Sequence, residues 1–356
     1  MAVQKKRATI LDIATEAGVS TATVSRVLSN VDYPVSEALR HKIHEIAKRL
    51  NYRPNIFGQM LKGGVNKVVG VIVPSITNPF YAQLVSDVEK RCVAGGYAPI
   101  ICSSYNSPKL EQEHLEVLLR QQVAGLLLST INDSASFIRK LNVTPVSLVL
   151  FDQPLEGFKG SNVVFDFLGG GRMATQYLVE RGHRRIVFAS QTIDRASRKL
   201  IHKGYREALG ECGLPVDDKL VITVTGEDES SPVKGDFSHG HRLGEEIMRM
   251  ETLPDAVVAG NDILAIGMIN AFRGRGIKVP EDISVIGFDD IDFSAVITPG
   301  LTTIRQSTVK TAELATGLLF KQMASAGVMQ SGLALEPELV VRGTVAERTN
   351  IKKRRG

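Results

Sequence analysis

The sequence lacks tryptophan, has only three cysteines and contains no apolar run of the roughly 20 residues that a membrane-spanning helix needs. The basic residues near the N-terminus are not followed by the uninterrupted apolar stretch of a signal peptide. Cys92, Cys102 and Cys212 show neither metal-ligand nor C-x-x-C spacing and lie in or beside apolar segments, which predicts reduced thiols in the core. We therefore expect a cytoplasmic protein that does not enter a membrane.

Motifs of catalysis are also scarce. G-x-x-x-x-G-K-[ST], G-x-S-x-G and H-E-x-x-H do not occur. Residues 169–174 (GGGRMA) fit G-x-G-x-x-A, but no acidic residue closes a second strand about 20 positions later, so we interpret them as a helix start. His239 and His241 lie near Asp236, and we interpret them as polar loop residues at a helix start rather than metal ligands. The sequence thus predicts no enzyme, no metal and no cofactor.

The 356 residues are 43% hydrophobic, which is enough for two or three domains with sizeable cores. The net charge of +5 is concentrated at one end, because residues 1–62 contain ten Lys and Arg residues against five Asp and Glu residues. This asymmetry favours a polyanionic partner near the N-terminus, although a short basic segment can also arise by chance.

Residues 1–50 predict three short helices. Thr9 with Asp12 resembles a capping box that opens a helix over 10–17, and Gly18 is suited to end that helix. Ser36 can cap the third helix, in which apolar residues recur at helical spacing. The three helices together can form only one miniature core.

The second helix, over 21–28, comes directly after the potential cap Ser20. Its inner face is apolar, and its outer face carries small or basic side chains, namely Thr21, Ala22, Ser25, Arg26 and Ser29. A helix-turn-helix needs such a face, because small residues let its second helix enter the major groove while donors reach bases and phosphates. The pattern favours DNA binding; the alternative is an ordinary solvated helix face.

Residues 51–66 have the pattern of a linker, since Pro54 breaks the third helix and Gly63 and Gly64 separate the segment from the apolar strand that begins near residue 68. The segment is more apolar than a solvated linker, which indicates that another surface covers it.

Short apolar strands alternate with helical stretches in two series, at about 68–150 and about 163–290. Apolar strands interleaved with amphipathic helices predict parallel sheets covered on both faces. The fold class is therefore α/β, with two lobes and a cleft between them behind an all-α headpiece. Ligands of such sheets bind at the carboxyl ends of the strands.

The chain resembles the lactose/galactose repressor (LacI/GalR) family of bacterial transcription regulators in ATILDIATEAGVSTATVSRVLSN, NYRPN, VVGVIVPSITNPFY, ERGHRRIVF, VPEDISVIGFDD and PGLTTIRQ. The resemblance implies a helix-turn-helix headpiece, a hinge and a core like that of periplasmic sugar-binding proteins, in which the chain crosses between the lobes three times. The implied boundaries are a headpiece at 1–50, a hinge at 51–66, a first lobe at 67–166 and 293–327, a second lobe at 167–292 and 328–348, and a basic tail at 349–356.

The resemblance also implies the contacts with double-stranded operator DNA. Thr21, Ala22 and Arg26 stand at base-reading positions, and Leu61 corresponds to the hinge leucine that enters the minor groove. Phosphate-contacting or helix-anchoring positions are held by Thr9, Ser20, Thr23, Ser25 and Asn30. The resemblance also implies a homodimer, because the last residues lack the leucine heptads of tetrameric relatives. The two-fold symmetry of a dimer in turn implies a palindromic operator.

The small polar effector of such a regulator would be a sugar or sugar derivative, with sugar acids, sugar phosphates and nucleosides as the other classes. The resemblance implies that it is bound between the lobes by Asn78, Phe80, Tyr81, Asp152, Arg195, Ser197, Phe237, Asn261 and Asp289. Both phenylalanines could equally be core residues.

Two departures from the family pattern bear on these roles. Ile201 stands where many sugar-binding relatives carry an arginine, for which Arg195 or Arg198 could substitute. The hinge has Gly58 ahead of its leucine, which weakens helix formation by about 1 kcal/mol.

The expected function is an operator-binding repressor, in which effector binding reorients the lobes and so changes DNA affinity. The main alternative is a solute-binding protein without a DNA role, and an enzyme on the same core is the third.

Overall fold

The computed structural model describes residues 8–28, 34–52, 66–140, 146–224, 232–325 and 331–348. The chain divides into two compact units, Met1–Asn66 and Lys67–Gly356. Within these described ranges no helix combines the length and the apolar character that crossing a membrane requires.

The described part of the first unit is helical. Its elements are α1 (Ile10–Ala17), α2 (Thr21–Leu28) and α3 (Glu37–Arg49). Their inward faces meet in a miniature core that includes the fully buried Ile13, Val24, Val27 and Ile43.

The predicted capping pattern of α1 is confirmed. The Thr9 amide donates to Asp12 Oδ2 at 2.7 Å, and the Asp12 amide donates back to Thr9 Oγ1 at 3.4 Å. Gly18 ends the helix in the left-handed region with φ of 73°, where a residue without Cβ is favoured. Ser36 accepts a hydrogen bond from the Leu39 amide and so caps α3. Local sequence signals are sufficient to fix these helix ends.

The second unit alternates strands and helices. In chain order its elements are β1 (Val68–Val73), α4 (Pro79–Ala94), β2 (Ala98–Ser103), α5 (Pro108–Arg120), β3 (Gly125–Leu128), α6 (Ser136–Lys140), β4 (Ser147–Asp152), β5 (Ser161–Phe165), α7 (Phe167–Glu180), β6 (Ile186–Gln191), α8 (Ala196–Glu211), a 3-10 turn (Asp218–Leu220), β7 (Val221–Val224), α9 (Pro232–Met248), β8 (Ala256–Ala259), α10 (Asp262–Gly274), β9 (Ser284–Asp289), α11 (Asp292–Val296), β10 (Thr302–Arg305), α12 (Thr308–Ala324), β11 (Gly332–Leu335) and β12 (Glu338–Val340).

The strands form two six-stranded sheets. The order in the first is β11-β5-β4-β3-β1-β2, with every pair parallel. The order in the second is β12-β10-β9-β8-β6-β7, and only β12 runs antiparallel to its neighbour. The central strands are buried almost throughout, because helices cover both faces. The two lobes expected from the alternating pattern are therefore present.

The chain crosses between the sheets three times, after β5, after β10 and after β11. The implied lobe boundaries are wrong at two strands: β10 pairs with β9 in the second sheet, and β11 pairs with β5 in the first. The helix α12 between them packs into the first lobe through Ala312, Ala315 and Leu319. Both misassigned strands are four residues long. β11 pairs with a strand far away in the chain, whereas β10 pairs with the strand directly before it.

The glycines of GGGRMA serve helix packing. The segment lies inside α7, which Asp166 caps by accepting from the Gly169 amide at 2.8 Å. A Cβ on Gly171 would overlap the backbone carbonyl of Ile201, and a Cβ on Gly204 would overlap that of Leu168. The missing side chains allow α7 and α8 to cross in backbone contact, which accounts for the pattern without a dinucleotide.

Two smaller expectations are wrong. Cys92 is buried and Cys102 half-buried, but Cys212 is exposed just beyond the end of α8, so it is not a core thiol. His239 and His241 lie within α9 rather than in a loop.

We predict that Gly171→Ala destabilises the second unit by about 1–3 kcal/mol, because the new methyl group forces two packed helices apart. Gly210→Ala is the matched control, since that glycine is exposed in α8 and a Cβ there meets nothing within 4 Å. We expect the control to be neutral or stabilising by up to about 1 kcal/mol. Urea unfolding followed by circular dichroism measures both, and equal midpoints for the two variants would contradict the packing role.

Candidate functional site

The helix α2 has two distinct faces. Val24 and Val27 are fully buried against the neighbouring helices. On the opposite side Thr21, Ala22 and Arg26 are exposed. The three residues expected to read bases therefore share an accessible surface, as major-groove recognition requires.

The polar residues around this surface hold the helix ends. Ser20 Oγ accepts from the Thr23 amide at 3.1 Å and lies 2.9 Å from Thr23 Oγ1, so it caps α2. Thr9 is engaged with Asp12 at the start of α1. Thr23 and Ser25 are half-buried. These positions fit the helix-anchoring role, and their phosphate contacts stay a prediction.

Part of the expected DNA surface lies outside the described residues. This applies to Asn30 and Leu61, and also to the hinge residues 58–60.

In the second unit, a polar cavity of about 70 Å³ lies between the two sheets. Residues at or just beyond the carboxyl ends of strands from both sheets line it, as expected for parallel sheets. Eight of the nine predicted effector residues are among them: Asn78, Phe80, Tyr81, Asp152, Arg195, Ser197, Asn261 and Asp289. The structure thus brings most of the predicted set together.

Asp152 ends β4 in the first sheet and is the centre of a buried hydrogen-bond network. Its Oδ2 accepts from Tyr81 Oη and from Ser129 Oγ, each at 2.9 Å. Gln153 Nε2 donates to Tyr81 Oη at 3.1 Å. Burial raises the pKa of the Asp152 carboxyl to about 6, while these donors and Arg195 oppose the shift. The cavity floor therefore presents a carboxylate held in a fixed orientation.

Asp289 ends β9 in the second sheet and is the counterpart of Asp152 on the other side of the cavity. Its backbone has φ of 120°, a strained conformation for a residue with a side chain. Gln306 Nε2 donates to its Oδ1 at 2.8 Å. Burial, with the neighbouring Asp262, raises the pKa of the Asp289 carboxyl. A strained and incompletely compensated acidic group at a cavity is typical of a binding site.

A polar bridge connects the lobes beside these carboxylates. Asn78 Oδ1 caps α4 by accepting from the Phe80 amide at 2.9 Å, while its Nδ2 donates across the cleft to Asp236 Oδ2 at 3.1 Å. Asp236 Oδ1 accepts from Gln191 Nε2 at the end of β6. The bridge links the first lobe to two elements of the second.

Two arginines at the start of α8 line the cavity: Arg195 is the N-cap residue, and Arg198 lies in the first turn. Arg195 Nη2 donates to Asn106 Oδ1 at 2.6 Å. Arg198 Nη1 donates to the Thr192 carbonyl at 3.0 Å and to Asp194, and its Nη2 donates to Gln191 Oε1. Burial and the adjacent Arg195 lower the pKa of Arg198 to about 9. Both cations are thus engaged with protein oxygens.

Ile201, which stands in place of the arginine of many sugar-binding relatives, is buried against the same cavity. Arg198 lies one turn earlier on α8 and brings its guanidinium to this wall. Its position supports the substitution considered from the sequence.

Phe237 does not join the polar cavity. It is 38% exposed and lines an adjoining apolar cavity of about 280 Å³, together with Ile263, Ile266 and Phe293. Asn78 and Asp236 line both cavities. Neighbouring residues on a helix point about 100° apart, so the Asp236 side chain faces the polar cavity while Phe237 turns away. Phe80 fits both interpretations, since it lines the polar cavity and packs in the core of the first lobe.

Sequence reasoning missed several polar residues of the cavity, namely Asn106, Gln191, Asp236 and Gln306. Gln191 ends β6 and Gln306 comes directly after β10, so a search for polar residues at strand ends would have found both. Asp236 carries no comparable signal, because it lies inside a helix.

We predict a pH-dependent effect of Asp152→Asn on stability. Because the folded pKa of about 6 lies above the ordinary value of 3.8, Asp152 contributes stability below pH 3.8 that is lost as the pH rises through 6. Relative to the wild type, the neutral variant should therefore gain up to about 3 kcal/mol between pH 4 and 7, given about 1.4 kcal/mol for each pKa unit. Urea unfolding across this range measures the difference, and a pH-independent difference would contradict the assignment.

Comparisons with known proteins match both units of the chain. Residues 9–55 match the family of bacterial regulatory proteins, lacI family, and residues 175–345 match the periplasmic binding protein-like domain. The ribose operon repressor of Escherichia coli (strain K12) is 36% identical over 342 residues, which are 95% of this chain and 99% of the repressor.

Two solved structures are similar over most of the chain. The lac repressor dimer bound to operator and the anti-inducer ONPF is 25% identical, with a TM-score of 0.77 over 96% of this chain and 100% of that one. A LacI family transcriptional regulator from Enterococcus faecium with bound ribose is 26% identical, with a TM-score of 0.70 over 80% of this chain and 100% of that one. The chain belongs to the LacI family of bacterial regulatory proteins.

Proposed function

We propose that this protein is a transcription repressor that binds a palindromic operator as a homodimer and is controlled by a neutral sugar bound between its lobes. The observation that carries the proposal is a polar cavity lined by carboxylates from both sheets, in the same chain as an exposed helix suited to the major groove. Because its partner is chromosomal DNA, the repressor acts in the cytoplasm.

Base reading is assigned to α2. Arg26 can donate two hydrogen bonds to a guanine edge, Thr21 can donate or accept, and Ala22 offers only a methyl contact. The exposure of all three side chains supports this division, in which Arg26 contributes most of the direct specificity.

A neutral polyhydroxy ligand fits the charges of the cavity. Asp152 and Asp289 offer acceptor oxygens to ligand hydroxyls from opposite lobes, whereas Arg195 and Arg198 already donate to protein oxygens. A phosphate or carboxylate would meet these acidic groups at close range, which costs binding energy. The ribose bound by the Enterococcus faecium regulator is a ligand of the proposed class.

The apolar cavity near Phe237 supports the homodimer. Phe293, which lines this cavity, is 55% exposed, and Val296 of the same short helix α11 is 73% exposed. An exposed apolar surface of this kind is costly in water, and a second copy of the chain would cover it.

The alternatives receive less support. Solute binding alone does not explain a three-helix unit with an exposed face suited to the major groove of DNA. The cavity carboxylates are oriented by hydrogen bonds to Tyr81, Ser129 and Gln306, an arrangement suited to binding hydroxyls rather than to catalysis.

We predict that Arg26→Ala weakens binding to a palindromic operator, selected in vitro from random DNA, by about 10- to 100-fold, since a bidentate base contact contributes about 1–3 kcal/mol. Lys48→Ala is the matched control, because it removes one positive charge from an exposed position on α3. We expect a loss of less than about threefold there. Fluorescence anisotropy at several salt concentrations measures both, and equal losses would contradict base reading by Arg26.

We predict that D-ribose or another neutral sugar raises the melting temperature of the wild type, whereas ribose 5-phosphate does not. At 100 times the dissociation constant, binding stabilises the folded state by about 2.7 kcal/mol, which corresponds to several degrees. Asp289→Asn should reduce the shift, and Asp292→Asn, a matched change at an exposed residue of α11, should retain it. A larger shift with the phosphate would overturn the proposed effector class.

A further inference from the structure

Glu111 is a fully buried carboxylate that does not line the polar cavity. It lies in the first turn of α5, and burial raises the pKa of its carboxyl. Its oxygens accept from Thr130 Oγ1 at 2.5 Å, from the Ile131 amide at 3.0 Å and from Asn132 Nδ2 at 2.7 Å. All three donors belong to one short segment after β3. Glu111 therefore fixes the conformation of that segment.

The residue directly after this segment contacts the other lobe. Asp133 Oδ2 accepts from Lys199 Nζ of α8 at 3.1 Å. Beside it, Asn106 Oδ1 accepts from Arg195 Nη2 at 2.6 Å. Asn106 directly precedes Ser107, the residue that caps α5. Both contacts therefore connect the start of α8 to loops that are anchored at the start of α5.

The start of α8 has an unusual charge for a helix N-terminus. Its first turn contains no acidic residue, and the N-cap residue Arg195 makes no side-chain capping hydrogen bond. Arg198 and Lys199 add positive charge where the helix dipole is already positive, an unfavourable arrangement in isolation. The first lobe supplies Asp133 and Asn106 to this end. Asp133 thus balances the charge of Lys199 across the cleft, and the neutral Asn106 accepts from Arg195, while Arg198 is paired within its own lobe with Asp194.

We propose that Asn106, Glu111, Asp133, Arg195 and Lys199 form an interlobe clasp that holds the cleft closed, with Glu111 as its positioning residue. The clasp forms only when the lobes approach, because its two bridging contacts join side chains of different lobes. Arg195 belongs to both the clasp and the cavity wall, so occupancy of the cavity and closure of the clasp affect each other. That this closure affects operator binding rests on the proposed function.

Carbodiimide cross-linking of the intact, ligand-free protein tests the clasp. The reagent joins a lysine amine to a carboxylate in direct contact, with loss of water, and mass spectrometry identifies the joined peptides. We expect a Lys199–Asp133 cross-link within the band of monomer size on a denaturing gel. The Lys90–Asp87 pair within α4, 3.2 Å apart, is the internal reference for the extent of the reaction.

Glu111→Gln tests the positioning role, because it keeps the shape of the side chain but points an amide donor at the donors of the 130–132 segment. We expect the Lys199–Asp133 yield to fall about two- to fivefold, the range for a solvent-accessible ion pair, with an unchanged reference. Glu113→Gln is the matched control, since Glu113 is exposed on the same helix. It should give the wild-type yield.

Asn132→Ala provides a second variant in case Glu111→Gln does not fold, and we expect it to lower the yield in the same direction. Unchanged yields in both variants would overturn the proposal, as would the absence of the Lys199–Asp133 cross-link from a wild type that forms the reference. A wild type that cross-links as expected but is stabilised by no neutral sugar would contradict the proposed effector class and leave the clasp standing.

Discussion

The three crossings of one chain between two largely parallel sheets determine where the cavity residues of the second unit lie. The crossing segments are joined to one another: the Asp166 amide donates to the Leu335 carbonyl at 3.0 Å, and Arg305 Nη1 donates to Glu338 Oε1 at 2.8 Å. Because parallel strands all end at one edge of a sheet, the crossings bring both carboxyl edges to the same cleft. Polar residues at strand ends then become neighbours although they are far apart in the chain.

One crossing also carries a side chain of the cavity. Gln306 lies directly after β10, where the chain leaves the second sheet, and it donates to Asp289. A rotation of the lobes must change backbone angles in such short segments. Gln306 thus stands in a crossing segment and also orients an acidic group of the cavity.

The sequence was most informative where the determining interaction is local. The Thr9–Asp12 capping box and the Gly18 helix end depend on residues within one or two turns, and they were predicted correctly. Apolar strands likewise indicate parallel sheets whatever their partners. The sheet membership of β11 depends on a partner strand far away in the chain, and the outward direction of Phe237 depends on how its helix packs against the cleft. The pattern of a single segment does not identify its distant packing partners.

The side-chain amide of Asn78 takes part both in a helix cap and in a contact between the lobes. Its oxygen is committed to the Phe80 amide at the start of α4, and its nitrogen is committed to Asp236 in the other lobe. The two atoms share one rigid plane, so the same two side-chain torsions set both contacts. Turning this amide over would present its oxygen to a carboxylate and its nitrogen to a backbone donor, two repulsions in place of two attractions. The contact between the lobes is thereby coupled to the first turn of α4 through the orientation of the Asn78 amide.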